Sequence, residues 1–143
     1  MPQLDKRGKW VFGWVVVGPR REIAVPPEAR REYGFRAGQR ISFLKGSRRS
    51  GGFSLARSSR LVSPLDRRVI EQGRAEPAGR VTLPPGLDVQ PGDRLLVVRG
   101  SGYAPIFLVR GPIYDKALRQ PGAFQFGGEL GDNRGQPTSG GCR

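Results

Sequence analysis

The chain has 143 residues, enough for one domain or two small ones, and carries 25 Lys and Arg against 12 Asp and Glu, a formal charge of +13. It has no histidine and one cysteine, Cys142, which excludes a Ser-His-Asp or Cys-His hydrolase, a Cys/His zinc centre and an internal disulfide. No apolar run nears the ~20 residues of a membrane helix, and residues 1–9 are polar with no apolar region of signal-peptide length behind them, so the expectation is a cytoplasmic protein without membrane contact, metal or cofactor.

Along the chain, residues 1–9 read as a flexible N-terminus. Trp14–Val17 and Glu22–Val25 favour extended structure through β-branched and aromatic content. The alternation Trp10, Phe12, Trp14 reads as the buried face of a first strand rather than as a base-stacking stripe. Pro26-Pro27 then opens a helix over Glu28–Tyr33, which Gly34 ends as a left-handed cap, with Phe35 in the apolar position beyond it. Ala29 and Tyr33 share the inner face, which turns Arg30 and Arg31 outward. Strand Ile41–Lys45 pairs with Phe53–Ala56 through the loop Gly46–Gly52, a flexible hairpin tip that lacks the Gly-Lys-Ser/Thr ending of a phosphate-binding loop. Asp66, Glu71 and Asp115 fall in helical patterns beside arginines and read as surface pairs, not as a general acid and base. Later come a turn at Gln90-Pro91-Gly92-Asp93, strand Leu95–Arg99 and strand Ile106–Arg110. Residues 121–143 hold seven of the 22 glycines and too few large apolar groups to offset chain entropy, so a disordered tail is expected.

The chain repeats itself. Ile23-Ala24-Val25-Pro26-Pro27 recurs as Val81-Thr82-Leu83-Pro84-Pro85, an offset of 58. Gly38-Gln39-Arg40-Ile41 recurs as Gly92-Asp93-Arg94-Leu95, and Gly46-Ser47 and Phe53 as Gly100-Ser101 and Phe107, all at 54. Pro64-Leu65 recurs as Pro112-Ile113 at 48. Four blocks in one order divide the chain into a first repeat, 10–72, and a second, 73–120. The second copy shortens the helix by four residues, to one turn or none.

The charge is uneven. Residues 1–62 hold 14 basic and 4 acidic groups, net +10; residues 63–110 hold 7 and 5, net +2; residues 111–143 hold 4 and 3, net +1. An excess of this size points to a polyanion partner, and the first half should dominate the attraction. Arginine outnumbers lysine 21 to 4, and its planar fork suits phosphate oxygens and guanine edges. No enzyme signature is present.

Each copy, a strand, a Gly-Arg or equivalent turn, three β-formers, Pro, a short helix, a Pro-Gly-Asp-type turn and a strand, resembles the AbrB/MazE/SpoVT swapped-hairpin DNA-binding family. Glu76-Pro77-Ala78-Gly79-Arg80-Val81-Thr82-Leu83-Pro84 with Gln90-Pro91-Gly92-Asp93 carries the strand end of the likeness, and Val25–Phe35 carries the helix. The resemblance implies a mainly β fold, a small swapped-hairpin β-barrel made from two tandem hairpin repeats with short helices. It is completed within the chain or by exchange with another copy as a homo-oligomer. It implies a sequence-specific regulator of transcription bound to double-stranded DNA, with contacts at Arg30 and Arg31 on the helix and at Arg74 and Arg80 on the strand and turn of the second copy. Arg20 and Arg21 stand in for the Gly-Arg of the first copy, where the sequence has Arg21-Glu22. Arg57 and Arg60 are expected to be background charges. Two other readings stay open: an antitoxin that also binds a toxin protein, and a regulator similar to MraZ, whose Asp-x-x-x-Arg signature survives only as Glu76-Pro-Ala-Gly-Arg80. Charge alone does not separate DNA from RNA.

Overall fold

The computed structural model describes residues 10–61, 68–100 and 104–119. The segments expected to be flexible, 1–9 and 121–143, lie outside the described residues, as does Asp66. The chain is mainly β, in the order β1 (Val11–Val16), β2 (Glu22–Ala24), α1 (Pro27–Tyr33), β3 (Arg40–Lys45), β4 (Phe53–Arg57), β5 (Val69–Arg74), β6 (Arg80–Thr82), β7 (Arg94–Val98), β8 (Ile106–Leu108) and α2 (Pro112–Leu118). None of the described helices is long and apolar enough to cross a membrane.

Six strands form one antiparallel sheet, in the order β1-β7-β8-β4-β3-β5, and β2 pairs with β6 in a separate ribbon. The two repeats exchange strands: β1 of the first pairs with β7 of the second, and β5 of the second pairs with β3 of the first. Two pairings join equivalent residues directly. Ile23 faces Val81 at the offset of 58, and Phe53 faces Phe107 at the offset of 54. A pseudo-two-fold axis therefore runs through both pairs. The loop bonds obey it as well. Val17 N–H donates to Asp93 O and Gly92 N–H to Val17 O; Ala75 N–H donates to Gln39 O and Gly38 N–H to Ala75 O.

Ribbon and sheet bury one apolar cluster between them, with Ile23 and Val81 from the ribbon and Phe43, Phe53, Leu55, Leu95 and Phe107 from the sheet. The Phe53 and Phe107 rings stack with centroids 4.7 Å apart. No closed barrel is found: the edge strands β1 and β5 are not hydrogen-bonded to each other or to the three-residue strands of the ribbon. The outer face of the sheet carries a second cluster, Val11, Trp14, Leu96, Val98 and Leu108, which α2 covers through Ala117 and Tyr114. Tyr114 meets Trp14 edge-on at 5.1 Å and donates to Arg94 O.

Local chemistry explains the elements that matter for the site. Pro26 and Pro27 start α1, Gly34 ends it at φ +71°, and Ala29 and Tyr33 face inward as their spacing requires. The turns before β3 and β7 close alike: Gln39 N–H donates to Arg36 O and Asp93 N–H to Gln90 O, while the side chains of Gln39 and Asp93 accept from the N–H groups of Arg36 and Gln90.

Several expectations need correction. The aromatic stripe of the first strand splits, because a bulge between Val11 and Gly13 sends Phe12 to the inner cluster and Trp14 to the outer one, leaving Trp10 exposed. The helical pattern around Glu71 is instead strand β5, equivalent to β1, and it starts at Val69, ahead of the expected 72/73 boundary. A bulge at the matching place in β5, between Phe43 and Leu44 of its partner β3, leaves Ile70 at the position of Phe12. Phe12 packs on Tyr33 of α1. The second copy has no helix there, and Ile70 is exposed. The strand expected over Ile106–Arg110 stops at Leu108.

Candidate nucleic-acid interface

Two turns flank the β2–β6 ribbon and carry three of the six arginines of interest, Arg20, Arg21 and Arg80. Gly18–Glu22 joins β1 to β2, and Glu76–Arg80 joins β5 to β6. They close with equivalent bonds, Gly18 N–H to Glu22 O and Glu76 N–H to Arg80 O, both 2.8 Å. Because the ribbon is antiparallel, with Glu22 opposite Thr82 and Ala24 opposite Arg80, the turns lie at its opposite ends.

The end with the second-copy turn gathers charge. Val25, just before α1, donates to Gly79 O. This bond seats the helix against the turn, and the Arg30 side chain lies directly over Gly79. Gly79 sits at φ +74° and lacks the Cβ that would collide with Arg30. Arg31 is exposed on the same helical turn, and Arg80 is exposed beside Gly79. Arg74 is exposed at the end of β5 and donates from Nη1 to Gly38 O at 2.9 Å. Of the six arginines picked out from the sequence, Arg30 and Arg80 therefore meet at this turn, Arg31 shares the helix with Arg30, and Arg74 ends the strand that leads into the turn.

The other two part company. Arg20 is exposed in the turn at the opposite end of the ribbon, with its N–H bonded to the Glu22 carboxylate. Arg21 is turned inward. Its guanidinium donates to the carbonyls of Pro84, Leu87 and Val89 at 2.7, 3.3 and 2.6 Å, and its Nε to Leu83 O at 3.4 Å. These carbonyls belong to the shortened loop that replaces the second helix. Arg21 also adopts φ +60°, the left-handed conformation that Gly79 holds in the other copy. Arg21 is expected, with Arg20, to contact DNA in place of the Gly-Arg of the first copy; in the structure its donors go to the backbone.

Three arginines that the sequence reading did not choose join the cluster. Arg36, two residues beyond the Gly34 cap, lines a cleft of about 490 Å³ with Pro27, Arg30, Arg31, Gly34 and Phe35; this lining holds three arginines and no acid. The Arg57 guanidinium carbon lies 3.4 Å from where a Cβ on Gly34 would stand, so this presumed background charge borders the cleft. Arg40 pairs directly across from Arg74 in the β3–β5 ladder. Arg36 was legible once the cap was placed. Arg40 and Arg57 arrive through non-local strand pairing, which no local pattern reveals.

Among the described residues, three Nε atoms are shielded from solvent and have no acceptor, those of Arg30 and Arg57 at the cleft and that of Arg99 away from it. Shielded donors without partners cost stability and gain from an incoming oxyanion. The carboxylate of Glu32, also on α1, is engaged by Arg99 Nη2 at 2.6 Å, a bond that raises the Arg99 pKa. It therefore turns toward β7 and away from the cleft. Among the described residues there is no cluster of three or more His, Cys, Asp or Glu to hold a metal.

No family model matches the chain, and no curated protein or solved structure matches it either.

Proposed function

We propose that this protein is a sequence-specific DNA-binding regulator of the AbrB/MazE/SpoVT swapped-hairpin type, with both hairpin units in one chain, and that it acts in the cytoplasm by occupying an operator without catalysis. The observation that carries the reading is the seating of α1, with Arg30 and Arg31 on it and Arg36 just beyond its cap, against the second-repeat turn Glu76–Arg80 at one end of the ribbon. The exchange of β1 and β5 between the repeats supports the comparison with swapped hairpins, since each unit leaves its first strand without a partner of its own.

In this mechanism the exposed arginines neutralise phosphates and fix the register on the duplex. Arg31 and Arg80 are exposed, and they are the candidates for bidentate donation to guanine edges in the major groove. Arg30 is held over Gly79, where it adds its charge to the phosphate contacts and supports its neighbours. The opposite end of the ribbon, where Arg20 is exposed but Arg21 is turned inward, binds more weakly, so the protein grips DNA mainly through one half of its pseudo-symmetric surface.

A gel shift at low salt tests the proposal. Arg31→Ala with Arg80→Ala should abolish the selected-site complex, while Arg48→Ala with Arg119→Ala should leave it intact. Equal losses would show that the charge acts diffusely. Preference for single-stranded RNA over duplex DNA would replace the proposal with an RNA-binding one.

A further inference from the structure

A second concave site lies on the other side of the six-stranded sheet. It has a volume of about 340 Å³, within the range that holds a small molecule. Its floor is aliphatic: Val98, Ile106, Leu108 and Ile113, part of the outer cluster that α2 does not fully cover. Its mouth carries Lys45, Arg49 and Arg110 and no acidic side chain.

The mouth is held in place. Ser50 O accepts from both Val109 and Arg110 N–H at 3.1 Å, which pins the 46–52 loop to the end of β8. Within that loop the hydroxyls of Ser47 and Ser50 are bonded at 2.7 Å, and Arg110 Nη2 donates to Arg48 O at 3.3 Å. Arg110 Nη1 also lies 3.6 Å from Asp88, with both side chains more than half exposed, a pair too solvated to compete strongly with a ligand.

The pseudo-symmetric place on the other repeat is apolar among the described residues. Leu44 is equivalent to Val98, and Ala104, equivalent to Ser50, is packed over it with Ala56. We propose that the cavity binds an amphipathic anion: one carboxylate or phosphate head at Lys45, Arg49 and Arg110, and an aliphatic or aryl body on the Val98–Ile113 floor. The cationic mouth selects the head by charge, and the floor removes the body from water. The site lies across the sheet from the Arg30 cluster, so its failure and that of the DNA reading are separable.

The test is calorimetric titration of the full chain with sodium octanoate, with 1-octanol and sodium acetate as matched probes. Saturable one-to-one octanoate binding is expected, at least about tenfold tighter than either probe. Arg49→Ala with Lys45→Ala should weaken it about tenfold, and Arg31→Ala should not. Methyl resonances of Val98, Ile106 and Ile113 should shift with octanoate in the unaltered protein, a readout that does not depend on any variant folding. Equal binding of 1-octanol or acetate, loss with Arg31→Ala equal to that at the mouth, or unmoved floor methyls would overturn the proposal. So would octanoate binding that appears only after residues 121–143 are removed, since the occupant would then be the chain's own tail.

Discussion

Arg30 of the first repeat lies over Gly79 of the second so closely that a Cβ on Gly79 would fall inside the Arg30 side chain. The relationship ties the two halves of the arginine cluster together. It also has a mirror. At the other end of the ribbon Arg21 takes the backbone place of Gly79, and its own guanidinium reaches across the shortened loop. At each end one guanidinium fills the space between turn and helix or loop, supplied by the helix in one case and by the turn in the other.

Gly79→Ala should therefore move Arg30 as well as strain the turn. Gly92 is the control, because it too has positive φ, +92°, with nothing within 4 Å of the added Cβ. Both substitutions should cost about 1 kcal/mol in urea denaturation. Only Gly79→Ala should also weaken duplex binding, by a few-fold in a fluorescence anisotropy titration. Matching effects on binding would show that Arg30 is not positioned by this contact.

Arg20 and Arg21 are neighbours in sequence with opposite roles. Arg21→Ala removes the donor to the Leu83 and Val89 carbonyls and one donor to the Pro84 and Leu87 carbonyls, which keep the N–H groups of Leu87 and Val89, and should cost about 2–4 kcal/mol. Arg21→Gly relieves the positive φ and should recover about 1 kcal/mol of that loss. Arg20→Ala should change stability by less than about 0.5 kcal/mol. Chemical denaturation of the three variants measures the ordering.

That contrast marks how far the sequence could be read. Gly34, Ala29 and Tyr33 announce α1, its cap and its inner face, because those rules are local. The Ile23/Val81 and Phe53/Phe107 blocks announce the repeat. The fate of Arg21 depends on a loop more than sixty residues away, and Arg57 reaches the site only through the β3–β4 pairing. The bulges that separate Phe12 from Trp14 and expose Ile70 break the period-two pattern from which faces are read. The sheet also stays open where closure was expected, because strand length in the ribbon is set by the turns and the prolines that follow it.

Phe53 and Phe107 stack on the pseudo-two-fold axis, each the other's symmetry partner. Phe53→Ala and Phe107→Ala should each cost about 3–5 kcal/mol. The double variant should cost clearly less than the sum, since each single change already removes the shared contact. Simple additivity in thermal or urea melts would place the axis elsewhere.

Burial pushes the phenols of Tyr33 and Tyr114 above their ordinary value of 10.0. Their folded values exceed the unfolded ones, so their contribution to stability is fully present below pH 10 and is lost as pH rises through the folded values. Urea midpoints should be insensitive to these groups up to about pH 9 and fall above about pH 10. Tyr33→Phe combined with Tyr114→Phe should flatten the alkaline fall. An unchanged slope would mean that other groups govern it.

The most direct test of the arginine cluster is the salt dependence of duplex affinity for the unaltered protein and for Arg30→Ala/Arg31→Ala/Arg36→Ala. With about five phosphates neutralised, the slope of log affinity against log salt should be roughly −4.5, and the triple variant should bring it to roughly −1.8. A slope that the triple variant leaves unchanged, or that Arg48→Ala/Arg119→Ala lowers as much, would contradict a single interface built across the two repeats.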